Sequence, residues 1–204
     1  MPSDWLTDQR RRLAAARILD AAEGLFATAG VEDVTMADIA AAAQCSRATL
    51  YRYYPSRDEL LSDYIALVTA RIVGSVAAKT ADLRPRREQV RMSVVHTLAA
   101  VREDPTLGPW FRLEAGLPAR IAISHGAIAA ALDGFLADGE GSPDTAATAR
   151  WLARTIVGLI TVPEPDEAAE LAYIDRFVVP TLLGAFDRHD EAAPSESQRL
   201  TAPR

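Results

Sequence analysis

The sequence predicts an all-α fold, a small three-helix unit at the N-terminus followed by a larger helical body. Three observations carry that expectation. Apolar residues recur at three- and four-residue spacing along most of the chain, no segment sustains two-residue alternation, and Pro or Gly stands where each periodic run stops. The 204 residues are 49% hydrophobic and 25% charged, a globular composition with enough apolar material for a sizeable core.

The first run covers about 7–29. It sets Ile18, Ala22, Leu25 and Phe26 on one stripe and stops at Gly30, the residue type that closes helices at least cost. Thr35 then opens T-x-x-D with Asp38, a capping box in which hydroxyl and carboxylate satisfy backbone N–H groups at a helix start. Met36, Ile39, Ala40 and Ala43 follow on an inward stripe. Gln44 and Cys45 make a turn, Ser46 caps a helix that runs through Tyr54, and Pro55 ends it by removing the donor needed to continue. Ser56 and Glu59 form a second cap. The helix they open runs through Leu60, Leu61, Tyr64, Ile65, Val68, Ile72 and Val76 to about 79. Further helices are expected at about 86–103, 106–115, 118–138, 144–161 and 166–188, with breaks at Pro105, Pro118, 139–143 and 163–165. Residues 190–204, rich in Ala, Pro, Ser and Glu without periodicity, read as a flexible tail. The expected division is therefore 1–56, with an arm over about 1–8, then 57–189, then the tail.

The helix after Ser46 has an outer face too polar and aromatic for ordinary packing. Leu50 and Tyr54 lie four apart and face inward, which turns Ala48, Tyr51 and Arg52 outward and leaves Arg47, Thr49 and Tyr53 on the flanks. Two short helices joined by a tight turn, the second carrying hydrogen-bonding groups outward, have the layout of a helix-turn-helix DNA reader. Arg47 and Arg52 are long enough for bidentate contact with guanine O6 and N7. Ala48 suits a thymine methyl, and Tyr51 a phosphate or a base edge.

The set Phe26, Gly30, Thr35, Ile39-Ala40, Thr49-Leu50-Tyr51, Tyr53-Tyr54, Ser56-Arg57 and Glu59-Leu60 resembles the N-terminal domain of the tetracycline-repressor (TetR) family of bacterial transcription regulators, over residues 10–61. The resemblance implies that Thr35 and Arg57, each at a helix start, grip phosphates, and that Thr49 and Tyr53 contact the DNA backbone. It also implies a homodimer on a palindromic double-stranded operator, acting as a repressor and released by a small-molecule effector bound in the body. For that pocket the mostly apolar set Met92, His96, Trp110, Phe111, Glu114, His125 and Trp151 is the candidate, although each is also an ordinary core residue of an amphipathic helix. The final two helices carry wide apolar stripes. By resemblance they form half of an intersubunit four-helix bundle through Ile156, Leu159, Phe177, Val178, Leu182 and Phe186, and 180–186 is similar to the usual ending; the competing reading is that they fill the subunit's own core. One departure concerns the turn, where the family commonly has Gly and then a small apolar residue. Gln44 and Cys45 here predict a turn that is strained or differently shaped.

Charge distribution is consistent with a reader that works locally. The chain is net −6, yet residues 1–57 hold seven cations and seven anions, so the acidic surplus lies in 58–204. The cations Arg10, Arg11, Arg12, Arg47, Arg52 and Arg57 must gather on one face, giving salt-sensitive affinity. A single cysteine excludes an intrachain disulfide. No secretory signal is seen and the most strongly apolar run, 156–162, falls well short of the ~20 residues needed to span a bilayer, so a cytoplasmic protein with no membrane partner is expected. The chain lacks G-x-S-x-G, a Walker loop, H-E-x-x-H and zinc spacing, and its histidines 96, 125 and 189 are scattered, so no enzyme activity, cofactor or metal is expected. The competing function is a helical ligand-carrier or protein-interaction module without operator binding, which the neutral reader and unusual turn leave open.

Overall fold

The computed structural model describes residues 4–110 and 143–192, with side chains over 9–108 and 147–185. All regular structure among them is helical. In order these are α1 (Asp4–Ala29), α2 (Met36–Ala42), α3 (Arg47–Tyr53), α4 (Arg57–Thr80), α5 (Arg86–Glu103), α6 (Leu107–Trp110), α7 (Pro143–Thr161), α8 (Glu167–Tyr173), a π-helical turn (Ile174–Val178) and α9 (Val179–Ala192). The helix expected at 118–138, half of that expected at 106–115 and most of the expected tail fall outside the described residues.

Local chemistry sets these boundaries. The Asp38 N–H donates to Thr35 Oγ1 at 3.3 Å while the Thr35 N–H donates to Asp38 Oδ2 at 2.9 Å, the reciprocal capping box that starts α2. Ser46 Oγ accepts from the Thr49 N–H at 3.1 Å to start α3, and Ser56 Oγ accepts from the Glu59 N–H at 3.2 Å to start α4. Gly30 closes α1 at φ 80°, its N–H donating to the Phe26 carbonyl at 3.0 Å. The π-helical turn was not legible in the sequence, because Leu171, Ile174, Val178 and Leu182 keep ordinary helical spacing through it.

Two apolar clusters hold the chain together. The first joins Ile18, Ala22 and Phe26 of α1, Ile39 of α2 and Leu50 of α3 to Leu60, Leu61, Tyr64, Ile65 and Val68 of α4, and it extends to Val101, Leu107 and Val157 of the body. The core therefore continues past residue 56 without a break. The second packs Val90, Val94 and Leu98 of α5 against Leu152, Ile156 and Leu159 of α7 and Ile174, Val178, Val179 and Leu182 of the last helices. Arg102 ties the same elements, its guanidinium reaching both Glu170 oxygens and the Leu159 carbonyl, the latter at 3.1 Å.

Ile156, Leu159, Val178 and Leu182 are buried in the protomer's own core, the placement that the competing reading of these stripes expects. Of the other residues expected between subunits, Phe177 is half exposed, its ring 5.1 Å from Tyr173 with Arg176 at 5.4 Å; the Phe186 side chain lies outside the described residues. Helical spacing reports that a stripe is buried, not what covers it. By length and composition alone α4 is long and apolar enough to cross a bilayer, although polar residues interrupt its apolar positions. Its Leu60, Leu61, Tyr64, Ile65 and Val68 face the shared core, the arrangement of a central helix in a helical protein.

Candidate nucleic-acid interface

The interface is built on α3. Leu50 is fully buried beneath it and Tyr54 is buried at its C-terminal end, so the helix has a fixed rotation. Burial, then the neighbouring Asp63 carboxylate, raises the Tyr54 phenol above its ordinary range and keeps it neutral. With that face anchored, Arg47, Ala48 and Arg52 are exposed and Tyr51 is 48% exposed, while Thr49 and Tyr53 are half-buried on the flanks. The Arg52 guanidinium stands 5.6 Å from the centre of the Tyr53 ring, and Ser46 and Thr49 share a hydroxyl hydrogen bond of 2.9 Å. The six α3 side chains expected to meet DNA thus lie on its outer face and flanks.

The two residues expected to grip phosphates are partly committed within the protein. Thr35 is exposed, but its hydroxyl donates to Asp38 Oδ2 at 2.5 Å, and that bond, then the one from the Thr35 N–H, holds the Asp38 carboxyl below its ordinary range, with the Arg47 charge adding to the effect. Arg57 directs Nη2 to the Val31 carbonyl and, at 3.4 Å, to that of Val34. It therefore fixes the α1–α2 loop to the start of α4. Arg10, Arg11 and Arg12 are exposed along α1.

Gln44 takes the left-handed conformation, φ 56°, and the turn closes as a Schellman motif: the Gln44 N–H donates to the Ala41 carbonyl at 3.0 Å and the Cys45 N–H to that of Ala40 at 2.9 Å. Partly buried Cys45 packs against the core cluster that contains Ala40. The turn is thus strained in φ but has the shape a glycine would give. Gln44 Oε1 also accepts a 2.9 Å hydrogen bond from Arg17 Nη2 of α1, a residue the sequence did not single out because nothing in helical spacing pairs positions 27 apart. Among the described residues, Arg71, Arg91 and Arg102 make ion pairs with Glu23, with Glu88 and Asp175, and with Glu170. Arg17, Arg47, Arg52 and Arg57 have no carboxylate within ion-pair distance among those residues.

The expected effector residues are placed in part. Met92 and His96 lie one turn apart on α5, both half-buried, and half-buried Trp151 of α7 packs against the second cluster. The side chain of Trp110, at the end of α6, and Phe111, Glu114 and His125 lie outside the described residues.

Comparison with known proteins bears on this geometry. The sequence pattern of bacterial regulatory proteins of the tetR family matches residues 18–64, from α1 into α4. An uncharacterized HTH-type transcriptional regulator of Mycobacterium tuberculosis is 40% identical over 186 residues, 90% of this chain and 92% of its own length. Among solved structures, the TetR family repressor AlkX from a Dietzia species, implicated in biodegradation of n-alkanes, is similar with a TM-score of 0.57 at 22% identity, covering 84% of this chain and 97% of that one. Thermus thermophilus FadR, a transcriptional repressor of the same family in complex with lauroyl-CoA, has a TM-score of 0.53 at 24% identity over 84% of this chain and 94% of its own.

Proposed function

The chain belongs to the tetR family of bacterial regulatory proteins, and on that premise we propose that it is a cytoplasmic repressor that binds a palindromic operator as a homodimer and is released by a small-molecule effector. The observation that carries this reading is the outer face of α3, where Arg47, Ala48, Tyr51 and Arg52 project from a helix anchored by fully buried Leu50. These side chains suit a major groove, with the arginines on guanine and Ala48 on a thymine methyl, while Thr35, Thr49, Tyr53 and Arg57 set position through phosphates. A single helix this short touches few base edges. A twofold dimer doubles them and places two recognition helices roughly 34–36 Å apart, one turn of DNA.

Release works through α4, whose 24 residues extend about 36 Å and whose first half lies in the core shared with α1, α2 and α3. Tyr64 on that helix meets Phe26 of α1 edge-on, with ring centres 5.3 Å apart. An effector held by the body, with Met92, His96 and Trp151 among its contacts, tilts α4 and changes the spacing of the recognition helices. A coupling of about 1–3 kcal/mol lowers DNA affinity about 5- to 150-fold. The acyl-CoA in the FadR complex makes apolar acyl compounds a first class to screen.

The test is selection of the purified protein against genomic DNA, followed by band shifts with Arg47→Ala and Tyr51→Ala. The expected result is a short inverted repeat whose binding both substitutions impair. No preferred site, with both variants indistinguishable from the parent, favours the carrier or interaction module instead.

A further inference from the structure

The geometry points to Arg17 as a further DNA-contact residue, a cation that Gln44 holds against the operator's phosphate backbone beside the recognition helix; this rests on the operator reading above. Gln44 occupies the left-handed position that closes α2, where an L side chain is strained and glycine is not. Its side chain accepts the hydrogen bond from Arg17 Nη2 at 2.9 Å. Both residues are exposed, and a bond between solvated side chains contributes little to folding stability. The glutamine is therefore better explained by what it does to Arg17 than by what it does to the turn.

What it does is orient a charge without neutralising it. The acceptor is a neutral amide oxygen, and among the described residues no carboxylate lies within ion-pair distance of Arg17, whereas Arg71, Arg91 and Arg102 each have one. With Nη2 engaged by Gln44, Nε and Nη1 remain for phosphate oxygens, which accept well from a guanidinium fork. Position selects phosphate over base. Gln44 precedes Arg47 by three peptide units of about 3.8 Å, so its Cα lies no more than about 11 Å from that of Arg47. With α3 filling a major groove about 12 Å wide, a cation held at the turn that precedes this helix is placed for the phosphates along the groove edge and not for a base edge. Arg17 thus adds affinity and register, not sequence preference.

The experiment uses full-length protein and the duplex it selects from a random double-stranded pool, together with a scrambled duplex of equal length. Affinities of the parent, Arg17→Ala, Gln44→Gly and Arg47→Ala are measured from roughly 50 to 200 mM salt, with a thermal melt of each. Arg17→Ala should weaken both duplexes by a similar factor and lower the slope of log affinity against log salt by about 0.9 per subunit, with unchanged melting. Gln44→Gly should melt higher yet bind more weakly, since it relieves the turn but frees Arg17. The inference is overturned if Arg17→Ala keeps the parent slope while Arg47→Ala is impaired, or if a folded Gln44→Gly binds as tightly as the parent. Should Gln44→Gly melt early, Arg17→Ala alone decides. If the parent itself selects no duplex, the operator reading fails first, a result distinct from either.

Discussion

Leu50 decides which way α3 faces, and so which side chains are offered to DNA. Its burial, with that of Tyr54 four residues on, follows from helical spacing alone, which is why Ala48, Tyr51 and Arg52 were legible as an outer face, with Arg47 on its flank, before any tertiary contact was known. The Arg17–Gln44 bond was not legible, nor was the turning of Arg57 onto the Val31 and Val34 carbonyls. Both join residues more than twenty positions apart, and only the packing of α1 against α2 and against α4 brings them together. The buried tyrosines give a pH prediction at this scale. Burial raises the Tyr64 phenol from its ordinary 10.0 to about 12, against the smaller lowering effect of its Thr106 hydrogen bond. Between those values the unfolded chain ionises this group and the folded chain does not. Folding stability should therefore be intact below pH 10 and fall as pH rises towards 12, by roughly 1.4 kcal/mol per pH unit for this residue. Denaturant titrations should find that dependence shallower in Tyr64→Phe; an unchanged slope contradicts the assignment.

Elements were legible where their ends carry local chemistry. The caps at Thr35, Ser46 and Ser56, the Gly30 stop and the span of α5 all depend on residues within four positions of one another. The packing of Ile156, Leu159, Val178 and Leu182 within the protomer was not legible for the opposite reason. An apolar stripe looks the same in sequence whether a neighbouring helix of the same chain or a second copy covers it, and α5 covers these residues. Packing of α6 was equally hidden. A Cβ added at Gly108 would lie 2.8 Å from the Arg102 carbonyl oxygen, so the start of α6 approaches the end of α5 more closely than a side chain permits. Gly108→Ala should cost about 1–3 kcal/mol of stability by denaturant unfolding, because the obstacle is backbone and cannot rotate away. An unchanged midpoint would mean that this approach does not constrain the fold.

For the molecule as a whole, the core that supports α3 is also the core that joins it to the body. Val101, Leu107 and Val157 pack in the same cluster as Ile18, Phe26 and Leu50, with α4 running through it. A division at residue 56 does not coincide with a break in the packing. Charge is likewise a whole-molecule property: the acidic surplus lies in 58–204, while Arg17, Arg47, Arg52 and Arg57 near α3 make no ion pair among the described residues. The most direct test of operator recognition by paired α3 helices is a footprint of the full-length protein on its selected duplex. The predicted result is two protected half-sites centred about 10–10.5 base pairs apart, or a multiple of that spacing, with both lost in Arg47→Ala. A single protected tract without repeated half-sites, or a footprint that Arg47→Ala leaves unchanged, would contradict it.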